Sequence, residues 1–255
     1  MLQSKLPLQW AWYSIVASAL LLAQPLELSA QSALDLPAGD QPSVIQWWHG
    51  AIVLGGLSGL MLLDNSTQRL TQRHRSSAGD DLASGVRHIG QPEVYGTITL
   101  GMLGVGLISG NHEITRAGGR LVATLFVAGA TSNLAKLTFG RPRPDQSLDA
   151  DAYIPFSGRV AMPSGHSTMA FALATALSDD INRTWASVGL YTMATGVAWS
   201  RLNDNRHWLS DVAAGAVVGV TSAKLVNGNW RIFNLRPPQF LLGPGNAAVA
   251  WNLSF

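Results

Sequence analysis

Apolar residues gather in six stretches along the chain, each long enough for a helix and each patterned with helical rather than strand periodicity. The first runs from Trp47 to Leu63 and stops at Asp64-Asn65. The second covers Tyr95 to Ser109 and the third about Thr115 to Phe139. A fourth starts at Ser164 and ends near Asp179-Asp180, a fifth spans Thr184 to Ser200, and a sixth Arg206 to Val226. Between the first two lies a polar, arginine-bearing connector, with a short amphipathic helix expected near Asp81 to Ile89. Gly140 to Met162, punctuated by proline, aspartate and glycine, reads as a long loop. No βαβ rhythm is present, so the pattern predicts an all-α fold, a six-helix bundle. The tail departs from it: Gln239–Leu242, a Gly243-Pro244-Gly245-Asn246 turn and Ala247–Phe255 predict a short extended or hairpin segment.

The N-terminus adds a targeting signal. Lys5 precedes an apolar run from Trp10 to Ala23, and Leu28-Ser29-Ala30 offers a small-residue cleavage site before Gln31. The expected organisation is a signal peptide over 1–30, a flexible lead-in over 31–45, a helical domain over 46–228 and an extended tail over 229–255. An uncleaved membrane anchor is the alternative for the first thirty residues. The helical stretches measure roughly 11 to 17 apolar residues against the roughly 20 that a span needs. His49, Asn133 and Lys136 interrupt them. The bundle is therefore read as exported and periplasmic, soluble or peripheral, with integral membrane as the alternative. Its glycine and alanine content suits helix packing in lipid equally well.

Composition narrows the chemistry. Charged residues make up 13% of the chain and the net charge is +2. No Lys/Arg run supports a nucleic-acid partner. The absence of cysteine excludes disulfides, zinc–thiolate sites and thiol nucleophiles.

Three constellations carry candidate chemistry. Lys136 closes the third stretch, and KLTFGRPRP places Arg143-Pro144 after a six-residue gap. Prolines 142 and 144 stiffen the backbone around Arg141 and Arg143. Arg143 fits a ligand role by spacing, while Arg141 is read as loop structure or substrate contact. Pro163-Ser164-Gly165-His166 opens the fourth stretch, where a capped helix N-terminus presents N–H groups to an anion. Ser200-Arg201 leads to His207 and Asp211, which share a helical face if the helix starts at His207. A carboxylate there fixes the histidine tautomer and leaves the other nitrogen nucleophilic. In an up-and-down bundle, all three constellations fall at one end.

Taken in order, Lys136-x6-Arg143-Pro144, Pro163-Ser164-Gly165-His166 and Ser200-Arg201-x5-His207-x3-Asp211 resemble the three-part signature of the type 2 phosphatidic acid phosphatase superfamily, PAP2. The resemblance covers residues 136 to 211, and the surrounding six-helix plan is similar. It implies that His207 attacks phosphorus and forms a phosphohistidine, with Asp211 orienting it. It implies that His166 protonates the leaving oxygen and then activates water. Lys136, Arg143, Arg201, the Ser164 hydroxyl and the Gly165 N–H would hold the phosphoryl oxygens. No metal and no cofactor is implied, because three cations serve one phosphoryl group.

The expected activity is a metal-independent phosphatase acting on phosphomonoesters or on lipid phosphates and diphosphates. The expected partner is a phosphorylated small molecule or lipid phosphate, with membrane association and without nucleic acid. Two alternatives differ in class: a vanadate-dependent haloperoxidase, against which the short chain argues, and a non-catalytic phosphate-binding or membrane-associated protein. His49, His74, His88 and His112 have no partners at ligand spacing and receive no role.

Overall fold

In the computed structural model, which describes residues 43–232 and the strands at 239–243 and 246–250, the six apolar stretches become six long helices and the polar connector becomes two short ones. Strand β1 (Ser43–Ile45) leads into α1 (Trp47–Met61), followed by the short α2 (Asp64–Arg73) and α3 (Ser77–Ile89). Then come α4 (Pro92–Ser109), α5 (His112–Phe139), α6 (Gly165–Ile181), α7 (Thr184–Asn203), α8 (Leu209–Val226), and strands β2 (Trp230–Ile232), β3 (Gln239–Gly243) and β4 (Asn246–Ala250). The export signal expected over 1–30 lies outside the described residues.

Boundaries follow local chemistry. Asn111 caps α5 by accepting from the N–H groups of Glu113 and Ile114. Gly140, in the left-handed conformation, ends α5. Pro92 sits in the first turn of α4, where its missing N–H costs nothing. Ser76 caps α3 by accepting from Gly79 N. The C-terminal tail is a hairpin, with β3 antiparallel to β4 in the register Gln239↔Ala250, as the turn residues predict. The last residues of the lead-in, 43–45, pair in parallel with 230–232.

The interior is built from small side chains. Ala117, Ala123 and Ala128 of α5, Ala172, Ala174 and Ala176 of α6, and Ala214 and Ala223 of α8 are buried. Helices α6 and α8 approach until a Cβ on Gly219 would lie 2.4 Å from Thr168 O, and one on Gly215 2.6 Å from Ser164 O. Leu121, Leu173, Val197 and Trp208 are buried among them, but many large apolar side chains point the other way. Ile108 is 92% exposed, Trp47 76%, Trp185 75% and Phe126 69%, and α1 buries none of its residues. Such an inversion suits lipid, where small residues let helices meet and large apolar ones face the solvent.

Length agrees with that surface for two of the described helices. Helix α5 (28 residues) and α8 (18 residues) are long and apolar enough to cross a membrane. The sequence pattern understated α5 because Asn133 and Lys136 break the apolar run without breaking the helix. The backbone ladder continues through them, with Asn133 exposed and Lys136 half-buried near the end of the helix.

Candidate active site

The bundle brings one end of α5, α6, α7 and α8 together, so the three constellations meet. Lys136 lies in the last turn of α5, and its ammonium donates to Ser132 Oγ at 3.4 Å. A Cβ on Gly165 would come within 2.8 Å of Lys136 Nζ, so the glycine makes room for the ammonium at the N-terminus of α6. Arg201, Lys136 and His207 all lie within electrostatic reach of His166, which sits in the first turn of α6. Arg143 and Arg201 are likewise within reach of His207. All eight residues singled out from the sequence therefore belong to one neighbourhood.

Three buried donors on these residues lack partners. Ser164 is the N-cap of α6 but its hydroxyl makes no capping bond, and the oxygen is fully buried and unpaired. Its backbone is fixed instead, with the N–H donating to Asp211 O at 2.9 Å and the carbonyl accepting from Thr168. Arg143 Nε and Arg201 Nε are also buried without acceptors. Buried donors left unpaired cost stability unless a ligand satisfies them. Three of them on three elements define a place for an anion rich in oxygen.

His207 is nearly fully buried in the turn before α8. The helix starts at Leu209, two residues later than an His207 start would require. Its Nδ1 lies 2.8 Å from Ala161 O and 3.7 Å from Asp211 Oδ2. A carbonyl only accepts, so Nδ1 carries the proton and Nε2 keeps its lone pair. The backbone of the long loop thus sets the tautomer, where a carboxylate was expected to. Asp211 instead caps α8, accepting from Trp208 N at 2.9 Å. Burial pushes the His207 pKa down, Asp211 opposes that shift, and the charges of Arg201 and Arg143 add to it. The ring is held neutral.

Arg141 occupies a different layer. It is fully buried, and its Nε donates to Ala150 O at 2.8 Å. Nη1 donates to Asp211 Oδ1 at 2.7 Å and Ser210 Oγ at 2.7 Å, and Nη2 to Asp64 Oδ2 at 2.6 Å. The guanidinium also lies 5.1 Å from the Tyr153 ring centroid and 5.5 Å from that of Trp208. Burial works against its charge, but Asp211 and Asp64 outweigh burial and hold its pKa above the ordinary value. Burial also pushes the Tyr153 hydroxyl up to about 12. Trp208 donates Nε1–H to Pro142 O at 3.0 Å, pinning the arginine-bearing loop to the histidine turn. Of the two readings for Arg141, the structure selects loop support.

Residues that the sequence pattern did not single out come from α2 and α3, which clamp the turn before His207. Gln68 donates to Asn205 Oδ1 and Gln72 to the carbonyls of Leu202 and Asn203. Asn203 donates to Asp80 Oδ1 at 2.8 Å. Asp204 Oδ2 accepts from both Arg87 Nη1 and Arg201 Nη1, each at 2.9 Å. Arg87, also within electrostatic reach of His166, is a fourth cation at the site. The amphipathic pattern near Asp81 to Ile89 was the only trace of it in the sequence. Among the described residues, no group of three or more His, Cys, Asp or Glu side chains could hold a metal.

Comparison with known proteins agrees with this architecture. Residues 117–232 match the family described as the PAP2 superfamily. A lipid A 1-phosphatase of Porphyromonas gingivalis is 41% identical over 104 residues, which are 40% of this chain and 21% of that protein. A PA-phosphatase related-family protein of Dictyostelium discoideum is 30% identical over 128 residues, 44% of this chain and 47% of the relative. The matches thus span about a fifth and about half of these two relatives. The Aquifex aeolicus LpxE crystal structure superposes with a TM-score of 0.53 at 20% identity, covering 65% of this chain and 94% of its own. The transmembrane PAP2 type phosphatidylglycerolphosphate phosphatase of Bacillus subtilis gives 0.55 at 17% identity, covering 70% and 94%. These two show the shared fold. The match to the PAP2 superfamily runs through the helices and turn that carry Lys136, His166, Arg201, His207 and Asp211, so the part of the chain that holds the candidate site is the part similar to that family.

Proposed function

We propose that this protein is a membrane-bound phosphatase that removes a phosphoryl group from a lipid phosphate through a phosphohistidine on His207. One observation carries the reading: three buried unpaired donors, Ser164 Oγ, Arg143 Nε and Arg201 Nε, belong to residues gathered at the same bundle end as a neutral His207 whose Nδ1 is engaged by Ala161 O. In the first step Nε2 attacks phosphorus and the ester P–O bond breaks, while His166 gives its proton to the leaving oxygen. In the second, His166 takes a proton from water, whose oxygen displaces His207 and releases inorganic phosphate. Lys136, Arg143 and Arg201, with Ser164 and the Gly165 N–H, stabilise the charge spread over the phosphoryl oxygens. These cations provide the neutralisation that a metal supplies elsewhere.

Two features support a lipid as the substrate. The exposed apolar belt suits a bilayer, which puts the catalytic end of the bundle at headgroup depth. The exposed Arg69 and Arg73 of the amphipathic α2, and Arg75 just beyond it, are suited to anionic headgroups. The similarity to a lipid A 1-phosphatase of P. gingivalis points the same way. The test is phosphate release from p-nitrophenyl phosphate and from a phosphatidic acid micelle. His207→Ala is expected to lose at least about 10³-fold in kcat on both, and EDTA to leave the wild type unchanged. Full activity in the variant would remove His207 from the mechanism.

A further inference from the structure

Asp64 begins α2, outside the residues that match the family, yet its side chain is fully buried against the start of α8. Oδ1 accepts from Ser210 N at 2.8 Å. Oδ2 accepts from Ser210 Oγ at 2.6 Å and from Arg141 Nη2 at 2.6 Å. The other edge of Arg141 holds Asp211 Oδ1, whose second oxygen takes Trp208 N and lies 3.7 Å from His207 Nδ1. All four carboxylate oxygens accept from donors, so both acids are in the acceptor-only ionised form. Tyr153, the ring over Arg141, keeps its proton and adds no charge. Two carboxylates and one guanidinium leave this buried group with one net negative charge.

An uncompensated buried charge is costly unless a counter-charge faces it. Asp211 and Arg141 alone would cancel. Asp64 is what tips the balance to negative, beside a histidine that becomes cationic when it bonds to phosphorus. We propose that Asp64 is a positioning residue for the nucleophile: through Arg141 and Ser210 it fixes Asp211, and it supplies the excess negative charge that favours the His207 imidazolium. The inference rests on His207 being the nucleophile. The other charged or titratable groups facing His207 are Arg201, Arg143 and His166, and from α5 the Lys136 ammonium lies within electrostatic reach of Asp211 and His166. None of these other groups is negative, so the buried trio is the counter-charge available among the described residues.

The test uses full-length protein in detergent or lipid, with p-nitrophenyl phosphate, and reads kcat and KM across pH. Asp64→Asn brings the trio to zero charge. It is expected to lower kcat by about 10- to 100-fold with KM within about twofold, and to move the acid limb to lower pH by on the order of one unit, because the imidazolium is less favoured. A purely structural role would cut folded yield and leave the limb in place. Asp64→Asn combined with Arg141→Gln restores one negative charge on Asp211, so the limb should return to the wild-type position while kcat stays low. A limb unmoved in Asp64→Asn overturns the proposal. Should that variant not fold, the double variant is compared with Arg141→Gln alone: Arg141→Gln leaves two negative charges and should move the limb to higher pH, the double variant should bring it back, and equal limbs in the two overturn the proposal. His207→Ala run alongside separates the two levels, since activity in that variant would sink the nucleophile assignment itself.

Discussion

Arg141 and Arg143 stand two residues apart in one loop and have opposite surroundings. Every donor-bearing edge of Arg141 is occupied, by Ala150 O, Ser210, Asp211 and Asp64, and the side chain is sealed from solvent. Arg143 is half-buried and keeps an unpaired Nε, and Arg201 Nε and Ser164 Oγ at the same bundle end are unpaired too. The same residue type thus builds a supporting layer in one case and an anion-facing layer in the other. Pairing tells them apart: a cation whose carboxylates are supplied by the fold is committed to structure, and one left without acceptors is held for a ligand.

Substitution should split the two layers. The largest effect belongs to Arg141→Gln, which leaves Asp64 and Asp211 buried without their cation and should cost about 3–5 kcal/mol of stability, read by thermal or denaturant unfolding. Arg143→Gln should leave the unfolding midpoint nearly unchanged and lower kcat by about 10²- to 10³-fold, the range for losing one donor to a developing oxyanion. Equal effects of both changes on stability would erase the distinction. Next is Gly165→Ala. Its new methyl meets the Lys136 ammonium, a movable side-chain end, so folding should survive while kcat falls by about 10-fold. Asp204→Asn is milder: it weakens the tether shared by Arg201 and Arg87 and should raise KM by a few-fold.

The pH profile probes the same layer. As the proposed nucleophile His207 must be neutral, and its pKa is depressed by burial, so the ring remains unprotonated to lower pH than a free imidazole. The acid limb of kcat/KM should therefore fall below the ordinary value of about 6.5. A limb above that value would mean that the ring is not buried among cations as described.

Much of this was legible in the sequence. The six long helices follow from apolar periodicity, and the eight signature residues from their spacing. What escaped was long-range pairing of polar residues. Asp64 read as the polar stop after the first helix, because its partners Arg141 and Ser210 lie 77 and 146 residues away. Arg87 looked like one charge on an amphipathic face, though it meets Asp204 across 117 residues. The Asp211–His207 contact was misjudged for a related reason. The i, i+4 geometry assumed a helix already running at His207, whereas Asp211 caps a helix that starts at Leu209. The surrounding solvent was hidden as well. Counting apolar runs gives the helix α5 but not its capacity to span, because polar residues such as Asn133 and Lys136 shorten the run while Phe126 and Leu134 remain exposed.

The central claim, a phosphoryl group carried on His207, is open to direct measurement in His166→Ala with p-nitrophenyl phosphate. That leaving group needs no proton, so the first step proceeds while water activation is lost. Rapid acid-free quenching and peptide mass spectrometry should then find a burst of p-nitrophenolate stoichiometric with enzyme and a phosphoryl group on His207. A burst with the label on another residue, or hydrolysis with no enzyme-bound phosphoryl group at any time, would contradict the account.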